Sequence, residues 1–325
     1  MTQWPAVSVI MPVLNEEAYL TVAVQAILRQ EYAGELHVVL ALGPSIDGTN
    51  DVAESIARSD SRVTLVQNPS GKTADGLNAA ISASHDEIIV RVDAHTELSA
   101  GYITTAVETL QRTNADNVGG IMDAQGQTAF EEAVAAAMKS PFGVGAASFH
   151  TGGSEGPADT VYLGVFKRSA IERVGGYDPH FVRAQDWEMN HRIRETGGTV
   201  WFNPAMKVSY RPRPNIKKLA KQYFEYGTWR REVMRSHPET VSRKSALRYF
   251  APPAAVVGTL IGIAAVALGW GIGWIPVIGY AAIELIATAL LMGKAKRGWY
   301  LVSVVLVTMH WAWGIGFLTS RPKKR

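Results

Sequence analysis

"NPSGKT" (68–73) stands between a strand-like run, "VTLVQ" (63–67), and a helix-like run that begins at Thr73. A Gly-Lys-Thr at such a turn raises the question of a phosphate-binding P-loop. That loop needs a glycine five positions before its second glycine, so that backbone N–H groups can wrap the phosphates. The position here is Val66, inside the strand. The loop is too short and too stiff to form the cradle, and the P-loop reading fails. What remains is a lysine, Lys72, on a loop before a helix in a chain whose strands and helices alternate.

That alternation extends on both sides. Strand patterns at 7–11, 36–42, 63–67 and 88–92 are followed by helical patterns at 16–30, 49–58, 73–83 and 99–112. Continuous apolar strands between amphipathic helices predict a mostly parallel sheet covered on both faces. Ligands of such sheets bind at the carboxyl ends of the strands. That selects the loops 12–16, 43–49, 68–73 and 93–95. The second half is less regular. It reads as a helix at 130–139, a Gly-rich loop at 149–160, a strand at 161–166, a helix at 184–195 and short strands at 200–202 and 207–210. A basic amphipathic stretch at 216–235 then predicts a helix on the inner membrane surface.

The 325 residues suffice for one large or two ordinary domains. From residue 250 onward there are seven Lys or Arg and one acid, Glu284, against 25 basic and 28 acidic residues before it. The sequence pI of about 9.0 therefore comes from the tail and gives no reason to expect nucleic acid. With no cysteine, disulfides, thiolate catalysis and Cys-ligated zinc are excluded. The first residues run almost at once into a strand, so no signal peptide is expected.

Three apolar segments, 251–270, 272–292 and 299–318, each approach the length that spans a hydrocarbon core. Arg243, Lys244 and Arg248 precede the first, and Lys294, Lys296 and Arg297 follow the second. This places the N-terminal domain and the 293–298 loop in the cytoplasm. Three spans then put the terminal "RPKKR" outside, against the same rule. Either the third segment is re-entrant, or the first strong charge bias prevails and the terminal cluster is tolerated; three spans are expected. Glu284, inside a span, invites either a functional reading or a pairing between helices.

Two motifs carry the chemistry. In "RVDAHTE" (91–97), Asp93 and His95 close a strand. A carboxylate and an imidazole are too few for an all-protein cage, but suit Mg²⁺ or Mn²⁺ completed by phosphate oxygens and water. In "QDWE" (185–188), Asp186 and Glu188 open a helix, where carboxylates are favoured by the dipole. Asp186 reads either as an ordinary helix opener or as a general base that takes a proton from an attacking hydroxyl.

"VSVIMPVLNEE", "GPSIDGT", "GKTADGLNAA", "VDAH" and "QDWE", in that order, resemble a family 2 glycosyltransferase with the GT-A fold over about residues 5–210. With "HTGGSEGPADT", "YLGVF", "GGYD", "YRPR" and an apolar tail, the likeness is greatest to the succinoglycan-type, ExoA-like membrane subgroup. The resemblance implies a GT-A catalytic domain at 1–210, interfacial helices at 211–249 and a membrane domain at 250–325. It implies Pro12, Asn15, Glu16, Asp47, Lys72 and Asp93 at the nucleotide sugar, Asp93 and His95 at the metal, and Asp186 as catalytic base. Gly152, Gly153, Asp159, Arg211, Arg213, Trp229 and Arg230 would serve the diphosphate or the acceptor. Three positions depart from the family pattern: Gly43-Pro44 stands where a strand-two Asp is usual, His95 replaces the second metal acid, and Gln185 replaces the Glu before the base. The last change would leave the pKa of Asp186 less raised.

The function this implies is a membrane-anchored, inverting hexosyltransferase. Its donor is a nucleoside diphosphate sugar, and its acceptor a hydroxyl of a lipid-linked saccharide, in cell-envelope or exopolysaccharide synthesis. The enzyme would be a multi-pass protein of the plasma membrane, catalytic domain inside. A polyprenyl-phosphate glycosyltransferase and a degenerate subunit of a glycan assembly complex stay open beside it.

Overall fold

The computed structural model describes residues 4–145, 147–240 and 243–322, with the backbone alone at 243–248. The side chains of Arg243, Lys244 and Arg248 and the terminal Lys323, Lys324 and Arg325 fall outside the described residues. The chain divides into two compact units, Met1–Asp123 with Gly152–Tyr210, and Ala124–Thr151 with Arg211–Arg325.

Nine strands form one mixed sheet: β1 (Val7–Val13), β2 (Leu36–Leu42), β3 (Val63–Gln67), β4 (Ile88–Arg91), β5 (Glu97–Leu98), β6 (Asn117–Ala124), β7 (Gly156–Pro157), β8 (Tyr162–Lys167) and β9 (Val200–Tyr210). Their order is β3-β2-β1-β4-β8-β6-β9-β5, with β7 added on β9. The predicted parallel half is β3-β2-β1-β4, with Val7 opposite both Leu36 and Ile88. β8 then runs antiparallel to both β4 and β6. Alternate residues of β1, namely Val7, Val9, Met11 and Val13, enter one core with Leu20, Val24, Ile27, Tyr102, Ile103 and Val107. This period of two is what a strand buried on both faces requires. Against the same strand, the helix Thr73–Ala83 closes where Gly76 lies: a Cβ there would come 2.7 Å from Asn68 and 3.3 Å from Pro12.

β6 escaped the sequence pattern because "NVGG" has little strand propensity. Its glycines serve a close approach instead. A Cβ on Gly120 would overlap the Met206 carbonyl of β9. Gly120→Ala is therefore expected to cost about 1–3 kcal/mol or more, as overpacked cores do, read as a lowered urea midpoint. The two short strands expected at 200–202 and 207–210 are one continuous strand. Pro204 interrupts the pattern without ending the strand, because Asn203 accepts from the Ala205 N–H (2.9 Å) and donates to Thr109 (2.8 Å).

The second unit is helical. Residues 124–151, counted with the catalytic domain from sequence, belong to it. The helix Ala129–Met138 starts with a Thr128–Glu131 capping box. Glycines bring the helix backbones together: Gly298 lies on the Ala129 carbonyl, Gly227 on that of Trp313, and Gly316 on that of Phe224. Small residues at such crossings are the usual device of helices packed in apolar surroundings. The helix Ile216–Ser236, expected on the membrane surface, buries Leu219, Tyr223, Trp229 and Val233 and leaves Ile216, Phe224 and Tyr226 exposed. Among the described residues, three helices, Tyr249–Ala267, Gly271–Lys294 and Lys296–Thr319, are by length and composition able to cross a membrane.

Candidate active site

The site of the first unit is built around Arg91, the last residue of β4. Arg91 interrupts an apolar run, and only its ion pairs make so buried a cation tolerable. Nη1 donates to Asp186 Oδ1 at 2.7 Å, and Nη2 donates to Asp93 Oδ1 at 3.2 Å. The guanidinium also lies 5.5 Å from the centre of the Tyr177 ring, a cation–π distance. Burial works against its charge, but Asp186 and Asp93 hold its proton well above the usual range. Asp93 and Asp186, from motifs far apart in sequence, thus share one counter-ion. Sequence reasoning passed over Arg91. Its signal was there: a charge inside the buried run "IIVRV", two residues before Asp93 and so on the same face of an extended chain.

Asp186 does not cap its own helix, Gln185–Glu195, which is entered from Ala184 in a left-handed conformation (φ 63°). Its neighbour Glu188 is buried and forked onto Arg192 at 2.5 and 2.7 Å, a structural pair. The Asp186 side chain keeps 23% of its surface open, enough for a hydroxyl to reach it. Burial raises its pKa, Arg91 lowers it, Asp93 raises it again, and the Leu163 N–H lowers it; the net shift is upward. Enclosure is the main cause of the upward shift. Leu163 holds an uncommon φ of 61° within β8 to present that N–H.

A second cluster joins the first strand-end loop to the fourth. His95 Nδ1 lies 2.8 Å from Glu16 Oε1, and the Glu16 N–H donates to Thr49 Oγ1 at 2.8 Å. With Nδ1–H donating to the carboxylate, the ring's lone pair is on Nε2, the arrangement that orients metal-binding histidines. Arg91 takes Oδ1 of Asp93, so Oδ2 is the oxygen with which Asp93 would meet a cation. Two carboxylates against one guanidinium leave a net negative charge beside this imidazole. The donor set therefore fits a divalent ion that also binds phosphate oxygens.

The remaining loop residues scaffold the same edge. Asn15, at φ 56°, accepts from the Ile46 N–H at 2.9 Å and so ties the β1 loop to the β2 loop. Asp47, expected near the base or ribose, is turned into its own loop. It accepts from the Thr49 hydroxyl (2.5 Å) and N–H (3.2 Å), and the hydroxyl bond first of all lowers its pKa. Lys72 is exposed at the start of its helix, its N–H donating to Ser70 Oγ at 3.1 Å. Pro12 is half-buried in β1.

The residues expected on the diphosphate or acceptor side divide between the two units. Asp159 is 91% exposed and faces Arg194 at 3.8 Å. Gly152 and Gly153 occupy left-handed and extended positive-φ conformations (79° and 152°) in the loop before it. In the second unit, Arg211 donates to the buried Glu131 at 3.0 Å, and Arg230 lies 4.5 Å from the Tyr249 ring centre. Trp229 is buried there, and Arg213 belongs to the same unit.

The family model for glycosyl transferase family 2 matches residues 8–175, just over half of the chain. The succinoglycan biosynthesis protein ExoA of Rhizobium meliloti is 28% identical over 95% of this chain and 93% of its own. A dolichyl N-acetyl-alpha-D-glucosaminyl phosphate 3-beta-D-2,3-diacetamido-2,3-dideoxy-beta-D-glucuronosyltransferase of Methanococcus voltae is 26% identical over 68% of this chain and 71% of its own. Among solved structures, the mannosyltransferase PcManGT of Pyrobaculum calidifontis, in complex with GDP-Man and Mn²⁺, shares the fold with a TM-score of 0.69 at 21% identity, covering 98% of this chain and 88% of that one. S. aureus TarS 1–349 follows at 0.56 and 16%, covering 97% and 90%.

Proposed function

Because the chain belongs to glycosyl transferase family 2, we propose that it is a membrane-anchored, inverting glycosyltransferase that moves a hexose from a nucleoside diphosphate sugar to a hydroxyl of a lipid-linked saccharide. The single observation that carries the chemistry is the sharing of Arg91 by Asp93 and Asp186. It sets a carboxylate suited to a metal–diphosphate beside a carboxylate suited to a base. Relatives named for succinoglycan biosynthesis and for a dolichyl-linked sugar support the acceptor class. Three apolar helices and the Lys and Arg residues around them support a catalytic unit on the cytoplasmic face.

Asp186 takes the proton of the acceptor hydroxyl while that oxygen bonds to the anomeric carbon. The bond from this carbon to the diphosphate breaks on the opposite side, so its configuration inverts. Arg91 holds Asp186 in place and limits the rise of its pKa. Asp93 and His95 would hold Mg²⁺ or Mn²⁺, which supplies charge stabilisation to the departing diphosphate. Glu16 orients His95, and the β1–β2 loop edge at Asn15 and Ile46 supports the nucleotide side.

The test is a thermal-shift panel of UDP-, GDP- and dTDP-sugars, each with Mn²⁺ and with EDTA. A cognate donor at about 100 times its Kd should add about 2.7 kcal/mol of stability, and only with metal. If none of the donors shifts the melt, the reading as a donor-binding enzyme is lost. In the same assay, Glu16→Gln should weaken Mn²⁺ binding about 10–100-fold, as loss of a histidine's orienting carboxylate does.

A further inference from the structure

We propose that the second unit enters the bilayer from one side only. The hairpin 249–294 dips into the cytoplasmic leaflet and returns. The helix Val302–Thr319 lies across its base, in the interface, without crossing.

The first observation is that polar groups hold this helix at both ends and in the middle. Just before it, Arg297 Nη2 donates to Glu132 and to the Gln127 carbonyl, both at 3.0 Å. At mid-length, the two ring nitrogens of His310 lie 2.6 Å from Glu284 Oε1 and 2.7 Å from the Phe142 carbonyl. At its end, Arg231 donates to the Phe317 carbonyl (3.0 Å) and Arg235 to that of Ser320 (2.7 Å). A crossing helix leaves its middle in hydrocarbon, where the turn Pro141–Val144 and the Lys- and Arg-rich helix Ile216–Ser236 are out of place. Tyr300, just before the helix, and Val304, Ile315 and Leu318 on it are exposed and fall on one stripe at helical spacing. One open apolar stripe, with the other faces covered by protein, is the surface such a helix would present to lipid from within the interface.

The second observation is the reach of the hairpin. It meets Val302–Thr319 through Phe250 on Phe317, through Pro252 and Val256 against Gly314, and through Tyr280 and Glu284 on His310. From Val256 to Gly269, and from Gly271 to Glu284, the legs extend only about 20 Å at ~1.5 Å per residue. The hydrocarbon core is about 30 Å thick.

The third observation is the tip. Residues 260–279 contain no charged, amide or hydroxyl side chain. Leu268, Trp270 and Ile272 at the turn are 64–72% exposed. A turn emerging into water on the far side would present polar groups; this one is built to remain in lipid. One-sided entry also puts Lys294, Lys296, Arg297 and Arg321 on one face, beside anionic headgroups, and removes the charge conflict of three crossings.

The absence of cysteine makes the test direct. Single cysteines at Leu268 and Gly271 (tip), Gly293 (loop) and Arg321 (after the last helix) are exposed to a membrane-impermeant maleimide, in spheroplasts and in inside-out vesicles. Gly293→Cys and Arg321→Cys should react only in inside-out vesicles. Leu268→Cys and Gly271→Cys should react from neither face until detergent opens the membrane, when every variant should label. Reaction of a tip cysteine from either face before detergent, or of Arg321→Cys from outside, overturns the proposal.

Discussion

Arg91→Met is expected to damage both stability and catalysis. It leaves Asp93 and Asp186 facing each other without their shared cation. Removing one partner of a buried ion pair costs about 3–5 kcal/mol, because the remaining charge is uncompensated. For a unit of this size that lowers Tm by roughly 10 °C. The pH dependence has a definite sign. The folded pKa of Asp186 is already raised, so the protonated form is the one the fold favours. Its contribution to stability is present at low pH and is lost as pH rises through the folded pKa. With Arg91 gone that pKa climbs further, so the variant should regain stability on acidification, and its activity should fall off at a higher pH than wild type. Arg91→Lys keeps the charge but not the fork to two carboxylates, and should fall between the two. A wild-type melt and an unmoved acid limb in Arg91→Met would remove Arg91 from the centre of the site.

Asp186→Asn should reduce turnover about 10²–10⁴-fold, the range supplied by a positioned general base. Donor affinity, measured by the metal-dependent thermal shift, should stay within a few-fold, since the substitution leaves Asp93 and His95 in place. The same variant separates the two acceptor chemistries. A hydroxyl nucleophile must lose a proton as it attacks, whereas a polyprenyl phosphate is already ionised and needs no base. A variant with most of its rate intact would therefore assign the phosphate acceptor. Loss of donor binding together with turnover would instead make Asp186 part of the donor site.

Much of the parallel half of the fold was legible from local pattern. The runs at 36–42 and 63–67 are strands with those bounds, and the helix at 73–83 likewise. Burial of both faces keeps Leu36–Leu42 almost wholly apolar, and the edge strand Val63–Gln67 keeps an apolar core between its exposed Thr64 and Gln67. The antiparallel half was harder to read because its strands answer to contacts instead of propensity: β6 needs Gly120 to pass Met206, and β9 runs through Pro204. At the site, motif order singled out Asp93, His95 and Asp186. Arg91 was overlooked, since a cation in a strand has meaning only once its partners are known. Arg211 and Asp159 were grouped with the chemistry by sequence alone, whereas the fold pairs the first with Glu131 and leaves the second at the surface beside Arg194.

By itself the sequence determined the alternation of strand and helix, the family, the residue types available for metal and base chemistry, and the apolar character of the tail. These depend on side-chain period and on short motifs, which are local properties of the chain. Only the tertiary structure decided that Asp93 and Asp186, 93 positions apart by their numbers, share one buried guanidinium, and that the third apolar helix is held by polar segments along its length. Both are long-range pairings, and their energy comes from desolvated charges and backbone groups meeting partners that no local pattern names.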